Sequence, residues 1–334
     1  MPQLYSELAR LNLADFDAGE VFSGQPSGTS LKGFDSPTPY TPKPDPNYLF
    51  HETSREVIVW LLEKSDPLYL FGPAGAGKTS LIKELASRVN YPVFEVTGHS
   101  RLEFPELAGH LTVENSRMIY QYGPLSLAMK YGGLFLMNEI DLLDPATAAG
   151  LNSILDGSPL CLPENGGELI SPHPMFRFAA TANTNGAADE TGLYQGTLRQ
   201  NLAFMDRFWL CEIGYPQAKL EVELLGRLCP DLPADLRTGM VDYANEVRRL
   251  FVGQEGGTRP ENVLEITFST RTLIRWARLT LRFQPLARLG LSPLAHALDR
   301  ALAFRASPES RVFLHELAQR VFPNLNHNTK ENPA

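Results

Sequence analysis

The run Gly72-Pro73-Ala74-Gly75-Ala76-Gly77-Lys78-Thr79-Ser80 sets a lysine and a threonine directly behind a glycine-rich turn. The spacing is that of the G-x4-G-K-T phosphate loop. Such a turn lets successive backbone N–H groups converge on phosphate oxygens, and the start of a following helix adds its dipole. Lys78 would supply a positive point charge for β- and γ-phosphates, and the Thr79 hydroxyl a ligand for Mg2+. The chemistry implied is binding of a nucleoside triphosphate, with ATP and Mg2+ as the cofactors. A ligand-free glycine turn is the alternative. The order of apolar strand (68–71), loop and amphipathic helix argues against it.

Two further stretches have the layout of a site beside a γ-phosphate. Gly132-Gly133-Leu134-Phe135-Leu136-Met137-Asn138-Glu139-Ile140-Asp141 is an apolar strand ending in a polar, acidic cluster. Glu139 is placed to orient and polarise an attacking water. Asn138 stands where such strands normally carry an aspartate that holds the Mg2+ shell. It can accept the same hydrogen bond but brings no negative charge. Asp141 either compensates for that charge or serves as a helix cap or surface residue. The other stretch, Phe176-Arg177-Phe178-Ala179-Ala180-Thr181-Ala182-Asn183, ends a buried-type strand in an asparagine. If the strand ends align, Asn183 lies near Glu139 and can hydrogen-bond a γ-phosphate or the water.

These residues need a scaffold, and the periodicity supplies one. Strands are predicted at 68–71, 93–96, 134–137, 177–181 and 209–213, separated by helices such as 78–89. Strand–helix alternation implies a mostly parallel α/β sheet covered on both faces. Thr53-Ser54-Arg55-Glu56 has the form of a capping box before the apolar run 57–62. Asp144-Pro145 opens a helix that Gly157 closes. Beyond Tyr215-Pro216 the pattern is helical only, at 218–228, 234–251, 270–282 and 294–306. The expected organisation is an N-terminal arm (1–47), an α/β nucleotide-binding domain (48–214), a helical lid (215–322) and a frayed tail (323–334). Within the arm, Leu4, Leu8 and Leu11 suit either a partner-binding helix or a loosely docked turn. Five prolines between Ser36 and Pro46 favour an extended strap laid on the domain or on a neighbour.

Composition narrows the class. The chain has 334 residues, 43% hydrophobic and 20% charged, with a formal net charge of −8. It can build a sizeable core, and its acidic balance argues against a general nucleic-acid or anionic-membrane binder. Its three cysteines are widely spaced, which suits a reducing cytosol rather than a disulfide scaffold or zinc finger. The N-terminus lacks a basic region followed by an apolar one, and apolar runs fall far short of the roughly 20 residues of a membrane span. A cytoplasmic location follows. The seven histidines show no HExxH, and none pairs with a cysteine at ligand spacing.

Phosphate loop, acidic strand, polar strand end and helical domain, in that order, resemble the AAA+ ring ATPases over roughly residues 37–285. Within them the chain resembles the MoxR branch, and there the small ATPase subunits of aerobic cobaltochelatases. The stretches that carry this are Pro39-Tyr40-Thr41-Pro42, Asp45-Pro46-Asn47-Tyr48-Leu49-Phe50, His173-Pro174-Met175-Phe176-Arg177, Thr191-Gly192-Leu193-Tyr194-Gln195-Gly196-Thr197 and Met205-Asp206-Arg207-Phe208. The resemblance implies a P-loop domain with two β-hairpin insertions. It makes Asn183 the sensor of the γ-phosphate and Arg207 a finger reaching the neighbour's nucleotide, with Arg199 in reserve. Arg271, in Ser269-Thr270-Arg271-Thr272, would sense the nucleotide from the helical domain. Without the family match, Arg207 reads as a surface arginine pairing with Asp206.

The same resemblance implies a homo-oligomer, a hexameric ring, working with a separate von Willebrand-type partner subunit. Hairpins are expected around Glu114-Asn115-Ser116 and Asn165-Gly166-Gly167. In the family such hairpins face the pore or the partner; plain surface hairpins are the alternative. Arg271, Arg275, Arg278 and Arg282 line one helix face, which either receives phosphate or an acidic neighbour or is simply solvated. The leading functional expectation is a Mg2+-dependent ring ATPase that remodels a partner, as a chelatase motor does. The alternatives are a MoxR-type chaperone without chelation and a low-turnover, ATP-switched binding protein, which Asn138 motivates. A phosphotransfer kinase fits worse, since no lid for an acceptor is evident.

Overall fold

Runs such as Leu68-Tyr69-Leu70-Phe71 and Leu134-Phe135-Leu136-Met137 have no charged side chain and no alternating polar face to turn toward water, so a sheet built from them must be covered on both faces. The computed structural model describes residues 2–63, 66–187, 194, 196–251 and 264–323. Its strands, in chain order, are β1 (Leu13–Asp17), β2 (Ser30–Phe34), β3 (Leu68–Phe71), β4 (Val93–Thr97), β5 (Gly109–Glu114), β6 (Arg117–Tyr122), β7 (Leu134–Asn138), β8 (Leu160–Leu162), β9 (Glu168–Ile170), β10 (Arg177–Ala182) and β11 (Trp209–Glu212). Five form one parallel sheet in the order β11-β3-β10-β7-β4. Leu68, Leu70, Phe135, Leu136, Ala179 and Ala180 within it are fully buried.

The register decides where the polar strand ends fall. Ala182 of β10 lies opposite Phe71 of β3, so Asn183 and Gly72 leave the sheet at the same level. Ala180 lies opposite Met137, which sets Thr181 beside Asn138, and Thr97 of β4 lies opposite Asn138 from the other side. Parallel strands thus deliver all three motifs to one carboxyl edge, the usual ligand edge of such sheets. The helix Lys78–Arg88 follows the loop and buries Leu81, Ile82, Leu85 and Ala86.

The arm holds more structure than its sequence suggests. β1 and β2 form an antiparallel hairpin. At Gly33 a Cβ would lie 2.3 Å from the Val89 carbonyl oxygen, so only glycine lets β2 approach the end of the phosphate-loop helix this closely. The Phe34 N–H donates to that same oxygen at 3.0 Å. The proline strap lies on its own domain: the Tyr40 ring stands 4.5 Å from that of Phe94, and the Val93 N–H donates to the Tyr40 carbonyl. Helix Pro2–Leu8 docks on the same core through buried Leu8. The expected capping box at Thr53 does not form. Thr53 has helical dihedrals and makes no side-chain cap, its hydroxyl instead meeting His51, while Ser54 accepts from the His51 N–H. Cys161, Cys211 and Cys229 are free thiols.

The chain divides into two compact units, Met1–Gly72 with Gly77–Ile213 and Pro73–Ala76 with Gly214–Ala334. The second is helical: Ala218–Leu228, Ala234–Arg249, Thr270–Arg282, Pro293–Ala301 and Pro308–Val321. The expected helix 294–306 stops at Ala301 and gives way to a 3-10 turn. Ser307 and Pro308 then cap and open a helix that the sequence reading did not separate. The expected tail lies outside the described residues from 324 on. No helix among the described residues is long and apolar enough to cross a membrane.

Tyr243, Phe268 and Trp276 form the aromatic centre of this unit, with ring centroids 5.0–5.7 Å apart. Beside it Arg248 makes a bidentate pair with Glu221 at 2.7 and 2.8 Å, both side chains buried, and donates to the Phe268 carbonyl. Removing one partner leaves a buried charge unanswered. Glu221→Ala is therefore expected to cost about 3–5 kcal/mol, read as a lower urea midpoint for the helical unit; an unchanged midpoint would show that Arg248 finds water instead.

Candidate active site

The phosphate loop leaves β3 at Gly72, whose φ of +143° no L side chain adopts readily. A Cβ there would also lie 2.1 Å from the Ile213 carbonyl oxygen at the end of β11. The loop must therefore start on glycine to turn away from the sheet. Lys78 opens the next helix and is 8% exposed. Its Nζ donates to the Gly72 carbonyl at 2.7 Å and to Asn183 Oδ1 at 3.3 Å, tying loop and β10 strand end together. Ser80 points outward.

Asn138, only 7% exposed, sits at the centre of a hydrogen-bond cluster. Its Oδ1 accepts from Thr79 Oγ1 at 2.7 Å and from Thr181 Oγ1 at 3.0 Å, and its Nδ2 donates to Glu95 Oε1 at 2.7 Å. Because the Thr79 proton is committed to Asn138, the lone pairs of Thr79 Oγ1 remain for a cation. A hydroxyl oxygen so oriented beside a phosphate cradle fits Mg2+, which takes few protein ligands and keeps its phosphates and waters. Thr79 would hold the ion and Asn138 would hold Thr79; its contribution would be positive charge against the phosphates.

Glu139 is exposed, with φ 52° and ψ 44°, a left-handed conformation that costs a non-glycine residue about 1–2 kcal/mol. The turn carries its carboxylate off the buried strand line into solvent at the carboxyl edge. Asp141 departs from both sequence readings: it neither faces the metal position nor lies at the surface. It is fully buried, and Oδ2 accepts from the Asn183 N–H at 2.8 Å, the Thr184 N–H at 3.1 Å and the Thr184 hydroxyl at 3.3 Å. Burial pushes its carboxyl up from the usual aspartate range, and these donors pull it partly back. Its Oδ1 is buried with no partner among the described residues. Asp141 thus pins the strand end that carries Asn183.

The structure brings Lys78 to Asn183 and Thr79 to Asn138, and engages Arg207 with neither pair. Arg207 does not pair with Asp206. Its guanidinium grips Asp156 through two bonds of 2.8 and 3.0 Å and reaches the Ala203 carbonyl. This pair lines a cleft of about 570 Å³ with Asp66, Leu155, Ala203 and Asp206. Arg199 is exposed. Arg271, Arg275, Arg278 and Arg282 are exposed along one face of their helix in the second unit. Thr191–Leu193 and Gln195 lie outside the described residues.

Both hairpins form. In β5–β6 the turn residues Asn115 and Ser116 take positive φ, and Val113 and Met118 are each 70% exposed. In β8–β9 the turn falls on Gly166 and Gly167, while Asn165 closes a 3-10 turn and its amide bonds Glu168.

Sequence reasoning passed over three contributors. Glu95 was visible as a lone charge inside the apolar run Val93-Phe94-Glu95-Val96, and Thr181 as the one hydroxyl in an Ala-rich strand. Asp156 was visible as an acid at a helix C-terminus, where the dipole disfavours it unless a cation answers.

Residues 67–208 match the family model of the AAA domain, dynein-related subfamily, and residues 221–321 match that of the CbbQ/NirQ/NorQ C-terminal region. The chain is 27% identical over 331 residues to the aerobic cobaltochelatase subunit CobS of Sinorhizobium sp, covering 96% of each chain. It is 28% identical over 259 residues to the protein NorQ of Paracoccus denitrificans, covering 77% of this chain and 86% of that one. It is 29% identical over 251 residues to Midasin of Dictyostelium discoideum, covering 72% of this chain but only 4% of Midasin.

Asp141→Ala would strand two backbone N–H groups at the base of Asn183, at roughly 1–3 kcal/mol for each buried donor. The expected result is a thermal midpoint lowered by at least about 4 °C together with weaker ATP binding; wild-type values for both would show that Asp141 does not hold this strand end.

Proposed function

We propose, from the premise that this chain is an ATPase of the AAA type with a CbbQ/NirQ/NorQ C-terminal region, similar to CobS and NorQ, that it is a Mg2+-dependent ring motor. In this reading ATP is held at the carboxyl edge of the sheet. The loop 72–77 and Lys78 cradle the phosphates, with Ser80 beside them, and Thr79 holds Mg2+. Glu139 polarises the attacking water, Asn183 contacts the γ-phosphate, and Arg271 senses the nucleotide from the helical domain. Arg207 stabilises the charge that grows on the γ-phosphoryl oxygens of the neighbouring subunit's ATP.

The observation that supports a finger acting in trans is the disposition of Arg207. Lys78, Thr79, Asn138 and Asn183 form one connected cluster, whereas Arg207 is engaged with Asp156 beside a separate cleft. A guanidinium held away from its own chain's cluster, by a partner that is half exposed, is free to change partners when a second copy docks. Assembly and hydrolysis would then be coupled, in a hexameric ring. By likeness to a chelatase subunit, the work done is remodelling of a metal-inserting partner together with a von Willebrand-type subunit, in the cytoplasm. A chaperone acting without chelation is the rival client class. Recovery of both partners from host extract supports the first; recovery of a von Willebrand-type protein alone supports the second.

Asn138 motivates a second reading, an ATP-switched binder with little turnover. Vigorous hydrolysis by the purified protein would eliminate it. The ring reading is tested by mixing Glu139→Gln and Arg207→Ala proteins. Each alone is expected to lose at least about 100-fold in turnover. The mixture should regain activity, because an interface then forms with an intact Glu139 on one side and an intact Arg207 on the other. An Arg207→Ala protein with normal rate and assembly would overturn the trans role.

A further inference from the structure

We infer that Glu95 is a positioning residue of the metal site: it fixes which way the Asn138 carboxamide faces and carries, one strand away, the negative charge that the end of β7 lacks. The inference rests on the reading of Thr79 and Asn138 as the cation side of the nucleotide site.

An asparagine side chain can face either way, and the two orientations have opposite consequences here. A carboxylate only accepts hydrogen bonds, so the Asn138 atom 2.7 Å from Glu95 Oε1 must be the amide nitrogen. That leaves the Asn138 oxygen facing Thr79 and Thr181, whose hydroxyls both donate to it. The Thr79 proton is thereby drawn away from the cation position. With the amide reversed, its NH2 group would donate to Thr79, consume a lone pair and turn the hydroxyl proton outward, against a cation. Glu95 excludes that state.

Glu95 is itself held. Its Oε2 meets Lys83 Nζ at 2.5 Å. Lys83 lies four residues after Thr79 on the helix Lys78–Arg88, one turn along the same face. Lys83, Glu95, Asn138 and Thr79 therefore close a ring of contacts that begins and ends on the phosphate-loop helix and passes through β4 and β7 on the way. In β4, Glu95 lies level with Leu136 and Thr97 level with Asn138, so Glu95 reaches Asn138 along one face of the sheet.

The consequence runs against the motif comparison. Asn138→Asp, which would restore the usual residue, puts a second carboxylate against Glu95 at hydrogen-bond distance and should impair the site. Moving the charge should rescue it: in the double variant Asn138→Asp/Glu95→Gln the carboxamide and the carboxylate have exchanged places and the same bond re-forms.

Four proteins decide this: wild type, Asn138→Asp, Glu95→Gln and the double variant. Two quantities are read, the thermal midpoint without nucleotide or metal, and the factor by which Mg2+ tightens binding of a non-hydrolysable ATP analogue in calorimetry. Asn138→Asp is expected to lower the metal-free midpoint by several degrees. Both single variants should reduce the Mg2+ factor by roughly tenfold or more, the usual scale for residues that orient a metal ligand. The double variant should return both quantities to within about threefold or a degree or two of wild type. Asn138→Asp matching or exceeding wild type, or a double variant as poor as the sum of the singles, would overturn the inference. If wild type itself bound no analogue, the nucleotide reading would fall. The metal-free midpoints would still judge Glu95, since equal midpoints for Asn138→Asp and the double variant would refute its contact.

Discussion

Everything at this site depends on the register of β10 between β3 and β7. Ala182 lies opposite Phe71 and Ala180 opposite Met137, so Lys78 reaches the strand ends at Gly72 and Asn183 while its neighbour Thr79 reaches Asn138. A slip by one residue would turn Thr181 away from Asn138 and break the cluster. Several contacts hold that register. Full burial of Phe135, Ala179 and Ala180 specifies it from within the sheet, and Asp141 clamps the backbone of Asn183 and Thr184 from the segment after β7. The chemistry at the edge is only as exact as this packing.

Much of this was legible because the signals are local. A short unbroken apolar run bounded by glycine suits a strand buried on both faces, and a glycine-rich turn between such a strand and an amphipathic helix has few folded solutions. The strands at 68–71 and 134–138 and the helix after Lys78 follow from that. What stayed hidden depends on partners distant in sequence. β2 pairs with β1 and lies where Gly33 can meet Val89, more than fifty positions later. Arg207 pairs with Asp156, not with its neighbour Asp206, because the fold places the end of one helix beside the start of another segment. Asp141 suited an acidic metal shell or a helix cap or surface position equally well and is instead a buried clamp, a difference of side-chain direction that no spacing encodes.

The two units solve the problem of interior charge differently. In the helical unit Arg248 and Glu221 form a bidentate pair, with Thr270 and Asn245 making further bonds to it. In the α/β unit the polar groups are linked in a chain that opens to solvent at one end: Lys83 and Glu95 are more than a third exposed, while Asn138, next along it, is covered. A chain of that kind passes orientation from solvent to interior without burying an unpaired charge.

Glu139 shows what this edge asks of the backbone. Its left-handed dihedrals would suit glycine better, yet a glutamate holds them. Relaxing that kink would yield a sturdier chain with its carboxylate aimed elsewhere. Fragility is thus written into the very spot that the proposed reaction would use, and under that proposal screens that reward heat tolerance alone would tend to select proteins that have fallen silent.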